Sequence, residues 1–336
     1  MSAQAATAIL VATIQEVFAV GGQSRRRFLK RAAIIGGGLA LAPLGCSEKV
    51  PDKPEGPVQM SIARWKRTLG PDSGELKAAA TKLTEQAISN LGGMGRFVKR
   101  DDVVWIKPNI GFRIGPEFAA NTNPDVVATL VRLCMDAGAK RVKVGDNSCY
   151  GADGAYPMSG IEAAVQAVGG EVVYLDDSRF KDVDINGERV DKWPVYPDII
   201  ESDLVINVPI AKQHPLTAVT LCFKNYMGVV GGPRNLWHDD MPTCLTDIAA
   251  YMKPELCVLD AVRVLARNGP TGGDLADVKN VGTVAAGTDI VALEAFGAEM
   301  LECDPARGRT MAAAEQRGLG QRDYRRLVLR ELEVTG

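Results

Sequence analysis

Val103-Val104-Trp105-Ile106 reads as a short buried strand that runs into a polar end, Lys107-Pro108-Asn109. Asn123-Pro124 then supplies a helix cap and a first-turn proline, and Val126 to Met135 carries an apolar helical face. Gly138 closes that helix, and Arg141 to Val144 forms the next strand. One strand–helix–strand unit of this kind asks for parallel pairing, because the crossover returns the chain to the same edge. The rhythm continues outward. Ile161 to Val168 is helical and ends at Gly169-Gly170, and Val172 to Leu175 is a strand. Asp203 to Val208, Leu256 to Leu259 and Gly282 to Ala285 are further strands, with helices at Leu245 to Met252 and Ile290 to Leu301. The expected fold class is α/β: a largely parallel, Rossmann-like sheet with helices on both faces, in one domain or two lobes.

In such sheets ligands bind beyond the carboxyl ends of the strands. Lys107 and Asn109 follow the first strand, Asp146, Asn147 and Ser148 the second, and Asp176 and Asp177 the third. Asn207 and Lys212 follow the fourth and Asp260 the fifth. Loops are polar everywhere, yet five such ends in succession point to one polar crevice. The densest stretch runs from Asn207 through Lys212, His214, Thr217, Thr220, Cys222, Lys224, Asn225, Gly228 and Arg234 to His238. It holds both histidines of the chain. A lone histidine is usually structural, but two that bracket Lys212, Lys224, Asn225 and Arg234 favour a proton carrier or metal ligand. If the segment is helical, Thr217, Thr220 and Lys224 share a face. Gly228, Gly231 and Gly232 permit close backbone approach to an anion, or simply form a tight turn.

Composition narrows the partners. Residues 1–46 contain five basic residues and one acidic one, so their removal takes the formal net charge from −2 to −6. A mildly acidic body without a basic block argues against nucleic acid or an anionic membrane face. About 290 residues remain, enough for a substantial core. Cys134, Cys149, Cys222, Cys244, Cys257 and Cys303 form no CxxC pair, which excludes the usual iron–sulfur and zinc-ribbon spacings. Cys222 lies near Lys224, which would lower its pKa, although its apolar neighbours suggest burial.

The series Lys107-Pro-Asn109, Asn123-Pro124-Asp125, Val144-Gly145-Asp146, Ile206-Asn207, Lys212-x-His214, Thr217, Lys224-Asn225-x-x-Gly228 and His238 resembles domain-of-unknown-function family 362. Asn268-Gly269-Pro270, Gly272-Gly273 and Asp289 fit it too, and the resemblance covers the chain from roughly residue 60 onward. Many members carry a ferredoxin-like cysteine cluster that this chain lacks. More distantly, His214, Lys224 and His238 are similar in order to the His…Lys…His series of nickel-pincer lactate racemases. That resemblance implies Lys224 as a cofactor tether, His238 as a metal ligand and His214 as acid/base and further metal candidate, with Asp146 or Asp260 supporting the histidines. Lys107, Asn109, Asn207, Lys212, Asn225 and Arg234 would contact the ligand.

At the N-terminus, Ser24-Arg25-Arg26-Arg27-Phe28-Leu29-Lys30 precedes the apolar stretch Ala32 to Leu41. The pattern resembles a twin-arginine export signal, and the run is too short and glycine-broken to span a bilayer. Ala42-Pro43-Leu44-Gly45-Cys46 is similar to a lipoprotein cleavage box, though Pro43 stands where an aliphatic residue is usual. The expected organisation is a signal at 1–46 with lipidation at Cys46 or plain cleavage, a Pro-rich tether at 47–57, and a folded body at 58–336. Export to the periplasm or the outer face of a membrane would use the twin-arginine translocase as partner. Three functional classes follow from these readings. One is a cofactor- or metal-dependent enzyme, redox or isomerase in type, acting on a small molecule. The others are a lipoprotein that binds a small anion, and an accessory factor.

Overall fold

The computed structural model describes residues 55–305 and 308–336, which lie within the compact unit Lys53–Gly336. The signal-like segment and most of the expected tether lie outside the described residues. Twelve strands follow in chain order. They are β1 (Met60–Trp65), β2 (Val103–Pro108), β3 (Arg141–Val144), β4 (Glu171–Val172), β5 (Lys181–Asp184) and β6 (Lys192–Val195). After them come β7 (Leu204–Val208), β8 (Ile210–His214), β9 (Ala218–Thr220), β10 (Leu256–Leu265), β11 (Val278–Gly287) and β12 (Leu329–Val334).

The main sheet has the order β12-β1-β11-β10-β7-β2-β3-β4, with β8 beside β10 and β9 beside β8. From β4 across to β10 every neighbouring pair is parallel. β11 is antiparallel to both β10 and β1, and β12 is parallel to β1. The sheet is thus mostly parallel. β5 and β6 pair separately as a small antiparallel ribbon.

Side chains alternate across the pleat, and β2 shows both faces. Val104 and Ile106 enter one core with the helices Ser73–Asn90, Pro124–Asp136 and Ile161–Ala167. Trp105 enters the opposite core with the helices Met241–Met252 and Ile290–Met300. Burial on both faces explains why the strands read as continuous apolar runs rather than alternating ones. The helix Pro124–Asp136 starts as its sequence predicts, with the Asn123 side chain accepting from the Asp125 N–H at 2.9 Å and Pro124 in the first turn.

The chain passes from β2 through that helix to β3 on one side, and later places β7 on the other side of β2. The connection therefore changes direction at the carboxyl ends of β2 and β7, a topological switch point where open α/β sheets leave a crevice.

Several expectations are corrected. The stretch around Thr217 and Thr220 is not helical. β8 and β9 form an antiparallel pair with Lys212 opposite Thr220 and His214 opposite Ala218, and a single helical turn, Cys222–Asn225, follows. Thr217, Thr220 and Lys224 consequently share no helix face. The strand expected at Val172–Leu175 pairs over two residues only, and the strand at Gly282–Ala285 is the middle of a ten-residue antiparallel one. The helix Ser73–Asn90, capped by Asp72, is additional to the helices expected.

Asp247, on the helix Met241–Met252, holds the turn between β5 and β6. Its buried carboxylate accepts from the backbone N–H groups of Glu188 at 3.0 Å, Arg189 at 2.8 Å and Val190 at 2.9 Å, and pairs with Arg317 at 2.5 Å. Burial alone would raise its pKa, but those donors hold it below the usual carboxylate value. Asp247→Ala leaves the donors unpartnered and is expected to cost roughly 3 kcal/mol or more in denaturant unfolding. A carboxylate depressed in the folded state stabilises at pH above its unfolded value and loses that contribution as pH falls through its folded value. Wild type should therefore lose this increment on acidification, while the variant should show a flatter acid limb.

Candidate functional site

Lys107 closes β2 at the switch point with its amine fully buried. The Nζ atom lies 2.8 Å from Asp146 Oδ1, donates to the Pro108 carbonyl at 2.7 Å and to Asn225 Oδ1 at 3.2 Å. Burial lowers the Lys107 pKa, and Asp146 opposes that by favouring the charged amine. Asp146 Oδ2 accepts the Ile110 N–H at 2.7 Å, tying the loop after β2 to the end of β3.

Asn207 on β7 sits in register with Lys107 on β2. Its Nδ2 donates to the Cys222 carbonyl at 2.9 Å, and its Oδ1 accepts from Asn225 Nδ2 at 2.8 Å. That same Asn225 amide also reaches the Lys107 carbonyl at 3.0 Å. Two amides and one ion pair thus lock the helical turn Cys222–Asn225 onto two strand ends.

Lys212, on β8, is equally buried but differently served. Its Nζ donates to Asn109 Oδ1 at 2.9 Å and to the Ala120 carbonyl at 2.5 Å, and lies 4.4 Å from the centre of the Phe112 ring. No carboxylate touches it. Burial is the main cause that pulls its pKa down to about 7. An ammonium has three N–H donors, and protein oxygens take two. Across the strand pair, the Thr220 Oγ1 is buried and has no hydrogen-bond partner among the described residues. Directly opposite residues stand on one face of the strand pair.

His214 follows on the same face of β8. Its Nδ1 accepts from the backbone N–H groups of Leu216 at 3.1 Å and Thr217 at 3.4 Å. Burial, with Lys224 and Lys212 nearby, pulls its pKa down to about 3, so the ring is neutral. An accepting Nδ1 leaves the proton on Nε2, which makes that atom a donor.

Lys224 rests its amine on Met227 Sδ at 3.3 Å, and burial lowers its pKa to about 8. Arg234 spans backbone oxygens, donating to Met227 at 2.7 Å and Asn147 at 2.9 Å, with Cys149 Sγ 3.9 Å away. The Cys149 thiol itself is exposed. Of Lys107, Lys212, Lys224 and Arg234, only Lys107 is paired with a carboxylate, that of Asp146, among the described residues.

His238 is exposed, its Nδ1 2.8 Å from the Asn235 carbonyl. One expectation is corrected: neither Asp146 nor Asp260 supports a histidine. Asp146 serves Lys107 and Ile110, while Asp260, with its pKa pushed up to about 6 by burial, accepts from the Asn123 and Val262 N–H groups. A metal held by protein side chains alone finds no group of three or more His, Cys, Asp or Glu among the described residues. Phe112 and Cys149 are participants that residue type did not single out. The signal available for Cys149 was its place directly after the polar end of β3.

With this geometry in hand, the comparisons identify the chain's relatives. The chain belongs to the family described as Domain of unknown function (DUF362), whose model matches residues 104–299. It is 34% identical over 264 residues to the thylakoid-associated protein sll1697 of Synechocystis sp., covering 75% of this chain and 78% of that protein. Among solved structures it is similar to the lactate racemase apoprotein from Thermoanaerobacterium thermosaccharolyticum, with a TM-score of 0.44 and 12% identity. That match covers 72% of this chain and 61% of the other. No helix among the described residues is long and apolar enough to cross a membrane.

Gly228 tests the architecture of the pair. A Cβ there would overlap Asp146 Oδ1 and come within 2.7 Å of Lys107 Nζ. Gly228→Ala should destabilise the protein by roughly 3 kcal/mol in urea unfolding, the scale for disrupting a buried pair. Gly232→Ala supplies the contrast, since its added Cβ meets only the Pro194 ring, at 3.0 Å, although its positive φ adds some strain. Equal losses in the two variants would contradict the close approach.

Proposed function

We propose that this crevice binds a small carboxylate- or phosphate-bearing molecule and moves a proton on it, as an acid–base enzyme. One observation carries the reading: Lys212 is buried, lacks a carboxylate and retains an unassigned N–H, on the strand-pair face that also carries the unbonded Thr220 hydroxyl. An amine that titrates near neutral pH is poised for proton transfer. Lys224 and Arg234 would hold the anion, with His214 Nε2–H as a neutral donor and Asn109 and Asn207 fixing the frame. Lys107 and Asp146 would position rather than react, because each already satisfies the other. A bound anion beside Lys212 raises the amine's pKa, so binding itself charges the acid.

The nickel-pincer resemblance supports a narrower form of the proposal, with Lys224 as cofactor tether and His238 as ligand. What favours it is the Lys224 amine, lowered to about 8 and without a carboxylate partner, hence partly neutral and nucleophilic. Added mass on the Lys224 peptide, with stoichiometric nickel in protein from its native compartment, would separate this form from a cofactor-free one.

Calorimetric titration with acetate and inorganic phosphate tests the anion site. Binding should be strongest below pH 7 and weaken as pH rises through about 7 and about 8, where Lys212 and Lys224 lose their protons. Lys212→Met and Lys224→Met should each lower affinity about tenfold or more, the scale of one charge-assisted hydrogen bond. Absence of binding to wild type at millimolar concentration would sink the reading. Deuterium exchange from solvent into a bound carboxylate reports the proton transfer. Binding without exchange would leave the small-anion lipoprotein.

We also propose export by the twin-arginine route, with lipidation at Cys46 or plain cleavage, on the strength of Ser24 to Lys30 and the Cys46 box. Replacing Arg25 and Arg26 by Lys should retain the chain in the cytoplasm, as fractionation would show.

A further inference from the structure

Beside the cationic crevice lies a surface cleft of about 380 Å³, lined by Phe112, Arg113, Ile114, Tyr150 and Thr271. Its volume is in the range of small-molecule sites. Its wall is largely apolar despite Arg113, whose guanidinium is committed to the Tyr150 carbonyl at 2.5 Å and to Asp153 at 2.6 Å. The cleft thus offers little free charge for an anionic head group. It does offer an aromatic wall of two inclined rings, Phe112 and Tyr150, 5.4 Å apart with an interplanar angle of 40°.

The cleft and the lysine cluster share walls. Phe112 lines the cleft with its ring and covers Lys212 at 4.4 Å. Tyr150 lines the cleft and directly follows Cys149, which lies against Arg234. Thr271 belongs to a loop anchored to β8 through the Gly269 N–H and Gln213 Oε1 at 2.9 Å, next to Lys212 and His214. The Phe112 loop is itself fixed: Asn121 Oδ1 accepts the Gly111 and Phe112 N–H groups, and Asn121 Nδ2 donates to the Phe112 carbonyl at 2.9 Å. Tyr150, by contrast, is 58% exposed, so the outer side of the aromatic wall stands open to solvent.

From this continuity we propose that the ligand is an amphipathic anion, with its charged head at Lys212 and Lys224 and an apolar, preferably aromatic, body in the Phe112–Tyr150 cleft. The proposal rests on the anion-binding reading above and adds the substrate class to it. Head and body are recognised by different walls, so they fail separately.

The test compares acetate, 4-phenylbutanoate and uncharged 4-phenylbutanol on the full folded protein by calorimetry. Phenylbutanoate is expected to bind at least about tenfold more tightly than either other probe, the scale of burying an aromatic body. Tyr150→Ser removes an exposed side chain without touching the core. It should bring phenylbutanoate to within about threefold of acetate, and Lys224→Met should weaken both acids. Equal binding of acetate and phenylbutanoate, or an unchanged Tyr150→Ser, overturns the amphipathic ligand and leaves the anion site standing. Phenylbutanol binding as tightly as phenylbutanoate overturns the proposal by removing the role of the charged head. No binding of either acid overturns the anion reading and this one with it.

Discussion

The buried ion pair between Lys107 and Asp146 is the constraint around which the site is arranged. It joins the end of β2 to the loop after β3, and through Ile110 and Asn225 it fixes two further segments. Two charges out of water are costly unless their remaining hydrogen-bonding capacity is met. Here the Pro108 carbonyl, the Asn225 amide and the Ile110 N–H meet much of it, and so tie the loops to the pair. Gly228 belongs to the same arrangement, because its missing side chain is the space that the pair occupies.

Set against that pair, Lys212 and Lys224 show the opposite treatment of the same residue type. Lys107 meets a carboxylate that favours its charged form against the pull of burial; Lys212 meets neutral oxygens and a ring, and burial pulls its pKa down to about 7. The difference follows from strand register. β2 delivers its lysine beside the end of β3, where Asp146 waits, whereas β8 delivers its lysine beneath the Asn109–Phe112 loop. A single crevice therefore contains a lysine paired with a carboxylate and two whose pKa values burial brings down to about 7 and about 8.

Much of the scaffold was legible because its signals are local. The Asn123-Pro124 cap, the apolar run behind it and the β-branched strands each announce themselves within a few residues, and β3 matches its expected bounds from Arg141 to Val144. The polar strand ends were also readable, and Lys107, Asn109, Asp146, Asn207, Lys212, Asn225 and Arg234 do converge. What escaped depends on distant partners. The hairpin of β8 and β9 carries no strong turn signal, and its pairing places Thr220 opposite Lys212 rather than on a helix with Lys224. The exposed position of His238 and the cover that Phe112 gives Lys212 arise from loop paths that no local pattern specifies. Residue type marked His238 and passed over Phe112, which the fold lays over Lys212.

The hydrogen bond from Lys107 to Asn225 spans 118 positions of sequence, and the one from Lys212 to Asn109 spans 103. Contacts this distant demand extensive loop closure before they return any stabilisation, so they belong to the end of folding rather than its start. Nascent chains would carry Lys107, Lys212 and Lys224 as ordinary solvated amines with ordinary basicity. Only completed tertiary structure tunes them, and in that sense the unusual acidity of these amines is a chemical certificate that the polypeptide has finished folding.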